Sequence, residues 1–176
     1  MKHLLILTLL VGCGADLYEN PSDHRRTVVT EGEHQNVQPG AVTQSNYGDY
    51  GIYVEEFKLL VQQYTGTYPE DKITDISYRE ESRPNVLATC VSSVRVVGGK
   101  DQVVTAKIEI DPNMKDKSEI LFRTVIFHEL GHCIMASNHS KTRQDLMYPY
   151  SQEKITKQGS DAIIKFYMER LAKGEI

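Results

Sequence analysis

From Ser118 to Met135 the chain carries a helix-length stretch that is apolar on nearly every face. Ile120, Leu121, Phe122, Val125, Ile126, Phe127, Leu130, Ile134 and Met135 leave only Arg123 and Thr124 as obvious solvent positions. A helix that is hydrophobic all round must be covered on more than one side, so this segment is expected to be the buried centre of the fold. Asp116 and Glu119 stand three apart at its start, a spacing compatible with a capping interaction, and acidic groups there suit the helix dipole.

The rest of the chain has to supply the cover. Its 176 residues allow one substantial core. Ile52, Phe57, Leu60, Val61 and Tyr64 recur at helical spacing and predict an amphipathic helix stopped by Gly66. Ile73 to Tyr78, Val86 to Val97 and Val103 to Ile110 are rich in β-branched residues and separated by turn formers, so three strands are expected. The last two are joined through Gly98-Gly99-Lys100-Asp101 as a hairpin. A final helix is expected from about Ser160 to Leu171, packing through Ile163, Ile164, Phe166, Tyr167 and Leu171. The fold class is therefore α+β, with a twisted mixed sheet, an edge hairpin, a buried helix and a C-terminal helix. The net charge of −4 is mild and the basic residues are scattered, which leaves no nucleic-acid footprint.

Three polar residues interrupt the buried helix. His128 and His132 are four apart, about 40° from each other around the axis, so both imidazoles can reach one ion. Glu129 adjoins the first of them, where its carboxylate can reach a metal-bound water without occupying a ligand position. Satisfied core histidines are the bland alternative, but two histidines and a carboxylate are costly to bury without partners, and a metal provides them. A catalytic zinc takes three protein ligands as a rule. His139 is the nearest third candidate, and Glu153, further downstream, is its rival. Asn138 is of a type that tolerates the left-handed conformation a chain needs to leave a helix and turn back.

Leu146-Met147-Tyr148-Pro149-Tyr150 resembles the Met-turn of the metzincin metallopeptidases, particularly its matrixin form. Ser160-Asp161-Ala162-Ile163-Ile164-Lys165-Phe166-Tyr167 is similar to the matrixin C-terminal helix. The resemblance spans about Glu119 to Tyr167. It implies a zincin-like (metzincin) domain with Zn2+ held by His128, His132 and His139, Met147 beneath the histidines, and Tyr148, Pro149 and Tyr150 at the substrate pocket. The activity implied is that of a zinc-dependent endopeptidase, a hydrolase acting on protein or peptide through a zinc-activated water with Glu129 as general base. An extended peptide would lie along an edge strand, for which Val103 to Ile110 is the candidate. The family pattern has a glycine three residues after the second histidine and the third histidine three later. Here those positions are Met135 and Asn138, so His139 comes one residue late. Pro149 also stands where some metzincins carry a tyrosine. The alternatives are a non-catalytic zinc-binding or scaffold lipoprotein with the same fold, and a gluzincin peptidase with Glu153 as third ligand.

The N-terminus reads as an address. Met1-Lys2-His3 and the apolar run Leu4 to Val11 have the make-up of a signal peptide and are too short to span a bilayer. Leu10-Val11-Gly12-Cys13 resembles the bacterial lipobox, which implies cleavage after residue 12, a lipid anchor on Cys13 and an exported, membrane-tethered protein. Gly14 favours the outer membrane. Residues 13–50 are polar and read mostly as a flexible stalk, with the brief Thr27-Val28-Val29-Thr30 as an exception. Residues 51–176 form the expected catalytic domain, a monomer. Cys90 and Cys133 remain, as a disulfide that an exported protein can keep or as two buried thiols. No upstream cysteine is placed to block a zinc, so no cysteine-switch latency is expected.

Overall fold

The computed structural model describes residues 26–29, 47–80, 82, 85–97, 100–149 and 154–176. Helix α1 (Gly51–Thr65) buries Val54, Phe57, Lys58 and Val61, the i, i+3, i+4, i+7 stripe of an amphipathic helix. Ile52 lies on the opposite side and is 64% exposed, contrary to the inward position predicted for it. Lys58 joins the stripe by laying its stem on the core, with its ammonium 3.4 Å from Asp71 and over the ring of Tyr68. Gly66 ends the helix at φ 76°, its N–H closing on the Gln62 carbonyl, a conformation that glycine adopts without the steric cost of a Cβ.

Three strands form a mixed sheet: β2 (Ile73–Tyr78), β3 (Ala88–Val97) and β4 (Lys100–Ile110). A four-residue strand, β1 (Arg26–Val29), extends it, giving the order β1-β3-β4-β2. The predicted hairpin is present: β3 and β4 pair antiparallel from Ala88↔Ile110 to Val97↔Lys100, with a register shift between Ser93 and Val94. Val86, expected to open β3, makes only an isolated bridge before it. β4 is not an edge strand, which corrects the place predicted for a bound peptide. It pairs with β3 on one side and in parallel with β2 on the other, Ile76 facing Ile108. Alternating hydrophobicity marks a strand but not its neighbours. The outer side of the hairpin is that of β3, which among the described residues is paired only by β1, in parallel from Ser92 to Arg95.

Helix α2 (Glu119–Met135) packs on β3 and β4 with one side and on α1 and α3 with the other. That double contact is why its sequence is apolar all round. Its cap is Ser118, whose Oγ accepts the Leu121 N–H at 3.3 Å. The Asp116–Glu119 capping interaction expected from spacing gives way because Asp116 closes a 3₁₀ turn, Pro112–Asp116. Thr124, predicted to face solvent, is buried, because α3 (Lys157–Ala172) crosses there and brings the Ser160 hydroxyl to 2.7 Å. Arg123 is partly covered and pairs with Glu56 and Asp161. Helix α3 begins three residues before the expected start, capped by Thr156, and buries Ser160, Ile164, Tyr167 and Met168. Phe57 joins the three helices, meeting Phe127 edge-on at 5.4 Å and stacking with Tyr167 at 6.4 Å.

Cys90 and Cys133 are bonded as a disulfide, with Cα atoms 5.7 Å apart. Tyr47 is buried and donates its hydroxyl to the Ile73 carbonyl, so the packed body begins a few residues before α1. No helix among the described residues is long and apolar enough to cross a membrane. Cys13 and the predicted signal peptide before it lie outside the described residues.

Candidate metal centre

The three histidines named from the sequence converge. One ring nitrogen from each lies within 4.8 Å of the other two, in a group that could hold a metal ion. His132 is buried and the other two are half-buried, so the cluster sits at the rim of the core. The ring centroids of His128 and His132 are 4.9 Å apart, and His139 stands 5.4 and 4.8 Å from them.

Backbone carbonyls fix the two helical rings. Nδ1 of His128 is 2.6 Å from the Leu146 carbonyl, and Nδ1 of His132 is 2.6 Å from the Ser137 carbonyl. A carbonyl can only accept, so each Nδ1 carries the proton and each neutral ring keeps its lone pair on Nε2, the atom that could ligate a metal. Burial favours the neutral ring for His128, lowering its pKa against the pull of the Leu146 carbonyl. The two Nε2 atoms then face each other at 3.3 Å. In neutral rings that places two lone pairs opposite one another, an arrangement that calls for a cation between them. Two nitrogens at the usual zinc distance and a tetrahedral angle would be about 3.3–3.4 Å apart. The His128–His132 pair therefore fits a zinc-like ion, with His139 within 4.8 Å as a third donor.

The loop after α2 explains how His139 reaches the cluster. Ala136, not Asn138, takes the left-handed turn, at φ 53°. The Ala136 and Ser137 N–H groups both close on the Gly131 carbonyl, the second at 3.1 Å, which ends the helix and turns the chain back. Asn138 is free of that duty and exposed. The same Ser137 presents its carbonyl to His132 and its hydroxyl to Tyr167 at 2.9 Å, which ties the second histidine to α3.

Met147 is 99% buried by the same convergence, with 1% of its surface exposed, and packs against the helix at Gly131. A Cβ at Gly131 would meet the Met147 sulfur at 2.5 Å, so a larger residue there would have to push the methionine side chain aside. The turn that carries Met147 is held by Asp145, whose Oδ1 accepts the Met147 N–H at 2.9 Å and whose Oδ2 pairs with Arg170 of α3. The Ser140 N–H donates to the Met147 carbonyl at 2.8 Å, joining this turn to the His139 loop. Tyr148 and Pro149 follow, half-buried. Tyr150 and Glu153, the rival third ligand, lie outside the described residues.

Glu129 is 2% exposed, and its Oε2 accepts the Cys90 N–H at 2.7 Å. Burial pushes its carboxyl up to about 8, against the opposing pull of that N–H and of Arg79. Sequence reading did not find Asp145, Arg170, Ser137 or the Cys90 amide. Asp145 had a signal, since an aspartate two residues before a buried position often accepts that residue's N–H. A main-chain carbonyl or amide leaves none. A cavity of about 510 Å3 at the opening turns of α2 and α3, lined by Ile52, Tyr53, Arg123 and Lys157 among others, includes none of the three histidines.

Comparison with protein-family profiles, with curated proteins and with solved structures finds no match.

Proposed function

We propose that the chain is a zinc-dependent endopeptidase of metzincin type. The observation that carries this reading is the pair of Nε2 atoms facing each other at 3.3 Å, each with its Nδ1 committed to a carbonyl. His128, His132 and His139 would hold the ion. Bound zinc supplies Lewis acidity, polarising the scissile carbonyl and making water acidic enough to lose a proton near neutral pH. Glu129 takes that proton and later returns it to the departing amine. Its Oε2 is fixed by Cys90, and Oε1 makes no hydrogen bond among the described residues. The extended substrate adds along the outer side of β3 rather than along β4.

Two further features support the family reading. Met147 packs against α2 at Gly131, beside His132 in sequence, which supports the Met-turn resemblance. The one-residue delay of His139 also has a local account: α2 runs through Met135, where the family has its glycine, and turns at Ala136. The interval from turn to third histidine is then the family's own. The substrate of this reading is a protein or peptide, and on the separate lipobox resemblance of residues 10–13 Cys13 carries a lipid and tethers the domain to a membrane.

A second reading is a zinc-binding or scaffold lipoprotein without turnover. It is favoured by the burial of Glu129, since a carboxyl held at about 8 is largely protonated at neutral pH until a cation comes near. Glu129→Gln separates the two when zinc content and cleavage of an unstructured protein are measured together. The proposal expects zinc kept and cleavage lost, and unchanged cleavage would overturn it.

A further inference from the structure

Cys90 meets α2 twice on one helix face. Its N–H donates to Glu129 at 2.7 Å, and its sulfur is bonded to Cys133. Glu129 and Cys133 are four residues apart, one above the other on the helix. Both ends of this contact are sealed: Ala88, Thr89 and Cys90 are 0–2% exposed, and Cys133 is 0% exposed. The strand that presents the amide is at the same time the outer strand of the hairpin, since β1 covers it only from Ser92 onward. Among the described residues, β4 alone pairs with β3 at Ala88 to Val91, and the contacts with α2 set the height of the strand over the helix.

We propose that the Cys90–Cys133 disulfide is a positioning device for Glu129. It pins β3 to α2 one turn from the carboxylate, so that the Cys90 amide holds Oε2 and the general base keeps one orientation. Cys90 is thus a positioning residue, acting through its amide, and the bridge is what keeps that amide in place. The inference rests on the reading of Glu129 as the base. Its physical reason is the steep dependence of proton transfer on placement, where a displacement on the order of 1 Å costs about a hundredfold in rate.

The test uses the full chain carrying Cys90→Ala and Cys133→Ala together, which removes the bridge and keeps the amide at position 90. Zinc per chain, kcat and KM are measured on an unstructured protein substrate, and hydrogen exchange of the position-90 amide is read by NMR. The expected result is unchanged zinc, KM within about twofold, kcat down by about a hundredfold and amide exchange faster by ~100-fold. Unchanged kcat with an amide still protected would overturn the proposal, as would a loss of activity that only follows a loss of zinc. Cys90→Ala with Cys133→Val, which refills the space of the sulfurs, is the second variant, and failure of both to fold would make the bridge a device of stability instead. If the native protein cleaves nothing, the general-base reading fails on that ground, while the amide exchange still decides whether the bridge holds the amide.

Discussion

Met147 and Gly131 are in contact so close that a methyl group at Gly131 would come within 2.5 Å of the methionine sulfur and 3.4 Å of the Tyr167 hydroxyl. The packing of α2 against the Met147 turn is therefore shaped by a glycine on one element and a methionine on another. Gly131→Ala should destabilise the fold by about 1–3 kcal/mol through overpacking, and weaken metal binding by displacing the Met147 turn that holds His128. Met147→Ala in the same chain removes the obstacle, so the two changes should be less than additive. A double-mutant cycle by denaturant unfolding checks this, and strict additivity would show that the contact is slack.

Asp145 is 1% exposed and takes both the Met147 N–H and the Arg170 guanidinium. Arg170→Ala leaves its carboxylate buried without its cation. Because Arg170 is 23% exposed, solvent screens part of the effect, and a loss of about 1–3 kcal/mol is expected rather than the full cost of an unpaired buried charge. The change should also lower metal affinity, since Leu146, between Asp145 and Met147, supplies the carbonyl for His128. Metal titration and thermal melting of this variant check both effects. An unaltered affinity would detach the α3 side chain from the site.

Ala136 holds φ 53° without being glycine. Left-handed backbone costs a residue with a Cβ about 1–2 kcal/mol, part of which glycine gives back through its freer unfolded chain. Ala136→Gly should therefore raise stability by about 0.5–1 kcal/mol and leave metal binding intact. A melting temperature that falls would contradict the assigned turn.

Saturating zinc should raise the melting temperature, with a gain of about 2.7 kcal/mol when free metal is a hundred times the dissociation constant. His139→Ala should abolish the gain. Glu153→Ala should keep it, and loss of zinc only in the Glu153 variant would overturn the choice of third ligand.

Much of the site was legible in the sequence because its chemistry rests on side chains at short spacing. His128 and His132 had to share a helix face, and the apolar run around them had to be central. What escaped was what depends on partners distant in the chain. Ile52 repeats with the apolar positions of α1 yet points to solvent, because the stripe centres on Val54, Phe57, Lys58 and Val61. Thr124 is buried only because Ser160 arrives from α3. β4 reads as a strand, but its place between β3 and β2 is a matter of pairing. Cys90 and Cys133 admitted a bridge or two thiols until the distance between them was known.

The central claim is that the histidine cluster binds a zinc ion that serves hydrolysis, and cleavage of an unstructured protein by the purified full chain before chelation, after chelation and after restoring one equivalent of zinc tests it most directly. The account predicts cleavage that disappears on chelation and returns with zinc. Cleavage that survives complete removal of the metal, or a zinc-loaded protein that leaves every unstructured substrate intact, would contradict it.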